Sequence, residues 1–400
     1  MTAEPAGAPP AAHAATIPSE LPPFAFRLPT ELRFGAGRRG EVGEIARRYG
    51  RHIALFSGRS SLERSGHAGE VLASLAAAGV EVVARLTAER EPDSDAVQAA
   101  ARAIGELRPD SLLAIGGGSV LDLAKAAAAV AGSSGGLSDL WSTTIAQPWR
   151  PLICMPTTAG SGAEASWGAI VLDLGTSRKR GLRGPGVAAR VALVDPDLTV
   201  SADHRITAQA GFDALSHAVE TAASRAAQPL TLALSAEAFR RLVVYLPRAV
   251  ADPSDRVARA ENAYASLLMG VNLANSTTCL PHRMQYPVGA LTSTAHGLGV
   301  SALFPAWLAR TVDEAPASLA RLARPTGVAD STASDRAAAA ALQQVVLQSR
   351  EAIGMDVRLG DLGVAARDVP GLVERVEGTL ANDPGPSAQT DLADLYTASL

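Results

Sequence analysis

Between about residue 26 and residue 200 the chain alternates short apolar runs with Ala-rich amphipathic stretches, and this alternation constrains its fold more than any other feature. Residues 52–56, 81–86, 111–115, 152–156 and 191–194 are rich in Val, Ile or Leu and too short for ordinary helices. Stretches between several of them, such as 70–78 and 95–107, repeat their apolar residues at helical spacing. Strand and helix in turn predict a parallel sheet with helices on its faces. Segments 168–174 and 180–183, joined across Gly175, predict a hairpin set into that pattern. After about residue 205 the strand signal fades, while 206–222, 230–245, 256–276 and 334–353 keep helical periodicity. The stretch 313–333, Ala-rich and interrupted by Pro, reads as loop or short helices. We therefore expect an α/β N-terminal domain over 24–204 and an all-α C-terminal domain over 205–400, with a cleft between them where pockets often form. Hydrophobic content of 47% with only 4% aromatics predicts cores built from Ala, Val and Leu.

The remaining composition narrows the setting. Residues 1–23 are rich in Ala and Pro, with no basic segment leading into an apolar core, and read as a disordered extension rather than a signal peptide. No run of about 18 apolar residues is free of charges or breakers, so no membrane span is expected. A formal net charge of −4 argues against nucleic acid as a partner. Two cysteines, Cys154 and Cys279, make no disulfide framework and suit a reducing cytoplasm.

The chain has seven histidines, and three of them, His217, His282 and His296, fall in one otherwise apolar helical stretch together with Asp213. The i, i+4 spacing of Asp213 and His217 places both on one helix face, one turn apart. Three imidazoles and a carboxylate fill most of the shell of a divalent transition metal and leave a position for substrate or water. That donor set suits iron and zinc equally. A lone helical histidine is usually solvated or hydrogen-bonded; the grouping is what points to a metal. Cys279, three residues before His282, reads as a small buried thiol.

Two glycine loops follow strands. The first, Gly116-Gly117-Gly118-Ser119, runs from residues 112–115 into a helix over 120–131. Glycines allow a pyrophosphate to approach the backbone, and free amides at the helix start point towards it, giving an anion site, although the run is not Gly-x-Gly-x-x-Gly; the α/β domain expected around it is Rossmann-like. The plainer reading is a tight turn with Ser119 as N-cap and Asp122 as the capping-box acid. In the second loop, Thr157, Thr158 and Ser161 can hydrogen-bond a nicotinamide or a phosphate, or simply cap a turn.

These residues, with Leu-Arg-Phe-Gly-Ala-Gly (32–37), Pro-Thr-Thr-Ala-Gly-Ser-Gly-Ala-Glu (156–164) and Val-Asp-Pro-Asp-Leu-Thr (194–199), make the chain resemble the iron-containing (group III) alcohol dehydrogenases. That family shares the dehydroquinate synthase-like fold, and the resemblance runs from about residue 26 to residue 400. It implies an enzyme that reduces a small aldehyde or ketone, or oxidises the alcohol, with Fe2+ or Zn2+ and NADP(H) or NAD(H). It carries Asp213, His217, His282 and His296 onto the metal, Gly117 and Gly118 onto the pyrophosphate, Thr157 and Thr158 onto the cofactor and Asp122 near the nicotinamide. It places Lys179 near the reaction centre; as residue chemistry alone, Lys179 reads equally well as a solvated charge in a basic hairpin. Family members are often dimers or larger, so a homo-oligomer is expected.

Two positions depart from what the resemblance implies. NAD-preferring relatives tend to carry an acid where Gly58 stands, to hold the adenosine ribose. Here Gly58 is followed by Arg59 and Ser60, which can bind a 2′-phosphate, so NADP(H) or use of both cofactors is expected. Many relatives also carry a histidine where this chain has Tyr286. A phenol donates a hydrogen bond but is a poor base at neutral pH, and it can equally form an aromatic wall. Hydroxyacid–oxoacid transhydrogenases of the family also have Tyr-Pro here, which makes a transhydrogenase with retained cofactor the nearest alternative. A dehydroquinate synthase-like lyase fits the ligand set less well, and a non-catalytic binding protein would leave the intact set unexplained. Arg180, Arg183 and Arg283 leave an anionic substrate open without favouring it, since adjacent helix positions such as 282 and 283 point about 100° apart.

Overall fold

The computed structural model describes residues 21–59, 61–88 and 91–400. Most of the extension expected over 1–23, and Ser60, lie outside those residues. Six strands form one parallel sheet: β1 (Glu31–Phe34), β2 (His52–Gly58), β3 (Glu81–Ala88), β4 (Ser111–Gly116), β5 (Leu152–Pro156) and β8 (Val191–Val194), in the order β1-β8-β5-β4-β2-β3. Alternate side chains feed two cores, as the pleat requires. Ile53, Leu55, Leu113 and Ile115 pack with Val71 and Leu75 of helix Ala68–Ala77 on one face. Ala54, Phe56, Leu112 and Ala114 pack on the other with helices Ser94–Leu107 and Gly118–Ala131. A sheet buried on both faces needs continuous apolar strands, which is why these runs stood out in the sequence.

The hairpin is β6 (Gly168–Asp173) and β7 (Arg178–Arg183), antiparallel and separate from the main sheet. From His204 onward every regular element is a helix among the described residues. Helix His204–Ala223 starts at Asp203, whose carboxylate accepts the Ile206 amide, and is buried on nearly all sides from Gly211 to Ala223. Helices Pro229–Ala251, Arg256–Asn275, Leu280–Thr292 and His296–Glu314 surround it.

Two backbones lock the halves together. Gly162 holds a left-handed φ of 60°, and a Cβ on Gly270 of helix Arg256–Asn275 would run into the Gly162 carbonyl. A Cβ on Gly160 in the same loop would press on Ala210 of helix His204–Ala223. Only glycine lets the second glycine loop lie this close to the helical half.

The chain passes from β2 outward to β3, then back to β4 on the far side of β2. The carboxyl ends of β2 and β4, at Gly58 and Gly116, therefore flank the point where strand order reverses, the place where open α/β sheets bind ligands.

Candidate functional site

Helix Gly118–Ala131 begins two residues earlier than the cap reading of Ser119 requires. Gly117 is its N-cap, with extended backbone and no capping side chain, so the first-turn amides stay uncapped. Asp122 is no capping-box acid: Ile170 N of the hairpin donates to its Oδ2 at 3.0 Å. Burial pushes the Asp122 carboxyl up to about 6, against the pull of Lys125. The glycine loops touch, since a Cβ on Gly118 would sit 2.8 Å from Ser161 Oγ and one on Gly117 would sit 3.3 Å from Thr158 Oγ1. Thr157 is buried, its amide donating to the Gly116 carbonyl. Arg59 is exposed just beyond the end of β2.

The four expected ligands come from three helices and converge on one atom. Asp213 Oδ1 lies 3.3 Å from His282 Nε2, 3.4 Å from His296 Nε2 and 3.9 Å from His217 Nε2. Donor atoms of Asp213, His217 and His282, all buried, stand within 4.8 Å of one another. His296, at the start of its helix, closes the group from a more open side, with 31% of its side chain exposed. The His217 and His282 rings stack with centroids 4.5 Å apart.

Two residues that the sequence reading did not single out hold these rings. Glu220, one turn beyond His217, takes His282 Nδ1 on Oε1 at 2.7 Å and the Cys279 amide on Oε2 at 2.6 Å. Gln285 Oε1 meets His296 Nδ1 at 2.6 Å. Because the carboxylate and the amide oxygen accept, both Nδ1 atoms donate and both Nε2 atoms are turned towards Asp213. Cys279 is the buried thiol expected, its Sγ donating to the Glu220 carbonyl at 3.4 Å.

Charges in this cluster are strongly coupled. Burial drives His217 down to about 3. Burial also opposes a charge on His282, but Glu220 and Asp213 raise it to about 9. Burial would raise Asp213, yet the facing histidines hold its carboxyl well below the usual range. A buried carboxylate ringed by three inward-facing imidazole nitrogens, two of them fixed by outer partners, is a donor set that fits a divalent transition metal.

Both groups of residues open on one cavity of about 580 Å³. Gly118, Ser119, Asp122, Thr158 and Ser161 line its sheet side. Asp213, His217, His282, His296 and Tyr286 line its helical side. The Tyr286 ring centroid lies 6.2 Å from that of His296. Lys179 is not the solvated charge that a basic hairpin suggested. It is buried, with Nζ 2.6 Å from Oε2 of Glu91, a cavity-lining residue, and it packs against Gly289.

A sheet whose carboxyl edge faces a helical body across a cavity with a few convergent polar groups is the build of a nucleotide-linked enzyme. Residues 29–196 match the family described as iron-containing alcohol dehydrogenase, and residues 207–400 match the C-terminal region of the Fe-containing alcohol dehydrogenase family. The chain belongs to the iron-containing alcohol dehydrogenases and is an oxidoreductase acting on CH–OH groups. It is 31% identical to a choline dehydrogenase of Bacillus subtilis (strain 168), over 90% of this chain and 89% of that one. It is 29% identical to an NAD-dependent methanol dehydrogenase of Bacillus methanolicus, over 94% and 99%. The crystal structure of a 1,3-propanediol oxidoreductase superimposes with a TM-score of 0.88 at 27% identity, covering 95% of this chain and all of that one.

Proposed function

We propose that this chain is a metal-dependent NAD(P)-linked alcohol dehydrogenase that works on a small aldehyde, ketone or alcohol. The observation that carries the reading is the convergence of Asp213, His217, His282 and His296 in the cavity that also holds the glycine loops. In this reading residues 24–204 carry the cofactor and residues 205–400 hold the ion. Bound at the four ligands, Fe2+ or Zn2+ supplies Lewis acidity towards the reacting oxygen, while the nicotinamide gives or takes the hydride.

The protein's own groups do the rest. Asp213 offsets part of the ion's charge, leaving about +1 to favour an alkoxide. Glu220 and Gln285 fix the rings of His282 and His296, so the Nε2 atoms need no reorganisation. The uncapped amides after Gly117 receive the pyrophosphate, with Gly116, Gly117, Gly118 and Ser119 forming its cradle. Thr157, Thr158 and Ser161 border the cofactor, Thr157 through its backbone. Asp122, half-protonated near pH 6, faces the nicotinamide end. Gly58 and Arg59 border the adenosine ribose and favour a 2′-phosphate, hence NADP(H) or both cofactors. Tyr286 donates a hydrogen bond to the substrate oxygen, and Lys179 shapes the wall through Glu91.

The test is oxidation of NADPH and of NADH by the Fe(II)-loaded protein over a panel of short aldehydes and ketones. Net oxidation with NADPH at least equal to NADH is the expected result. Absence of net oxidation, with hydride passing between two substrates on retained cofactor, would replace this reading with a transhydrogenase.

A further inference from the structure

The cavity is lined by side chains of both charges. Asp122, Asp213 and the Lys179-paired Glu91 are its lining carboxylates, and Arg183 and Arg283 are its lining arginines. Arg283 is only 2% exposed, yet no carboxylate reaches within 4 Å of its guanidinium among the described residues. Its Nη2 donates to Thr277 Oγ1 at 3.0 Å and its Nη1 to Tyr286 Oη at 3.4 Å, and its buried Nε has no partner. The Arg283 side chain is held in place by Gly378, where a Cβ would come within 3.0 Å of Arg283 Cδ. Glu377, next to Gly378, does not neutralise it: that carboxylate is engaged by Arg178 at 2.6 Å and Arg180 at 3.7 Å.

Arg183, exposed at the end of β7, also lines the cavity and has no carboxylate within 4 Å among the described residues. Arg180, by contrast, is taken up by Glu377 and Asp173 and stacks over Trp141 at 5.2 Å. Two guanidiniums gathered in one cavity without a counter-charge form a site for an anion, because planar N–H forks match carboxylate, sulfonate and phosphonate oxygens. Tyr286 neighbours both groups, with its ring 5.9 Å from Arg283 Cζ and 6.2 Å from the His296 ring.

We propose that Arg183 and Arg283 hold an anionic group of the substrate, so that the carbonyl compound turned over here is a small aldehyde or ketone carrying a carboxylate, sulfonate or phosphonate. This rests on the dehydrogenase reading above and names its substrate class. The anion sits on the arginines while the carbonyl a few bonds away faces the histidine cluster. Tyr286 then has a second part, since its hydroxyl accepts from Arg283 and orients the guanidinium.

The test compares succinic semialdehyde, sulfoacetaldehyde and phosphonoacetaldehyde with neutral butanal on the Fe(II)-loaded full chain, in wild type, Arg183→Gln and Arg283→Lys. At least one charged aldehyde should exceed butanal in kcat/KM, and its advantage should fall about tenfold to a hundredfold in each variant, as loss of a charge-assisted contact implies. Which of the three leads distinguishes the acid. Calorimetric binding of acetate, methanesulfonate and methylphosphonate to the cofactor-loaded protein reads the same site without turnover. One of these should bind wild type and bind Arg183→Gln at least tenfold more weakly. Equal use of butanal and all charged aldehydes, with no anion binding, overturns the proposal. So does a rise in KM confined to NADPH, which would give the arginines to the cofactor. If no aldehyde is reduced but the anion still binds through the arginines, the dehydrogenase reading fails and the anion site stands.

Discussion

At the scale of single residues, the cluster of Asp213, His217, His282 and His296 was legible because half of it is local in spacing and the other half is rare in type. Asp213 and His217 lie one helical turn apart, and His282 and His296 announce themselves as rare residues in apolar surroundings. Glu220 and Gln285 stood in plain view three residues beyond two of those ligands, but nothing in a sequence marks a carboxylate that orients a ring rather than binding an ion. Burial of Arg283 depends on Gly378, far along the chain, and was invisible for that reason. Glu220→Gln should weaken metal binding about 10- to 100-fold, read by chelator competition, with the chain still folded. Unchanged affinity would remove Glu220 from the site's support. A second prediction concerns Glu164, which is buried in the loop joining the halves; burial raises its carboxyl to about 7. Such a group binds its proton more tightly in the native state than in the unfolded chain. Stability therefore falls as pH rises from about 4.5 towards 7, by about 3 kcal/mol, and levels off above. Glu164→Gln should flatten that decline in denaturant melts taken at pH 5 and pH 8. A variant that follows the wild-type slope would show that Glu164 does not set it.

At the scale of elements, β5 and β8 match the apolar runs 152–156 and 191–194 end to end, since buried parallel strands are apolar throughout. Strand β1 escaped notice because it lies at the sheet edge, mostly half-buried, and alternates Leu32 and Phe34 with the charged Glu31 and Arg33. Helix Leu280–Thr292, which carries His282, was masked by Pro281 and Pro287. Pro281 occupies the first turn, where no amide is needed, and Pro287 gives up one helix hydrogen bond inside a well-packed body. The cap was read two residues late, at Ser119 rather than Gly117, because a glycine N-cap leaves no side chain to recognise. Contact between the halves gives a prediction whose sign discriminates. Ala for Gly in an open helix position adds stability, so Gly105→Ala, which meets nothing within 4 Å, should gain about 0.5–1 kcal/mol. Gly270→Ala should instead lose about 1–3 kcal/mol by overpacking against Gly162. Thermal melts that raise Tm for both variants would show that the two backbones are not locked.

At the scale of the whole molecule, the division into a sheet half and a helical half follows from one change of periodicity near residue 205, and both halves line the cavity of about 580 Å³. The strand order sets Gly58 and Gly116 side by side at the carboxyl edge of the sheet, where the proposal puts the cofactor, an arrangement that no stretch of sequence displays by itself. Restoring an acid beside the adenosine ribose should reverse cofactor choice. Gly58→Asp is expected to lower kcat/KM for NADPH relative to NADH at least about tenfold, since a carboxylate there repels a 2′-phosphate. An unchanged ratio would place the ribose elsewhere. The central claim is that hydride transfer depends on an ion at Asp213, His217, His282 and His296. Aldehyde reduction measured against bound Fe(II), from the chelated protein to full loading, tests it most directly. Turnover should rise in proportion to bound metal and saturate at about one ion per chain, with His282→Ala neither binding the ion nor turning over. Full turnover in the chelated protein, or in the His282→Ala variant, would contradict it.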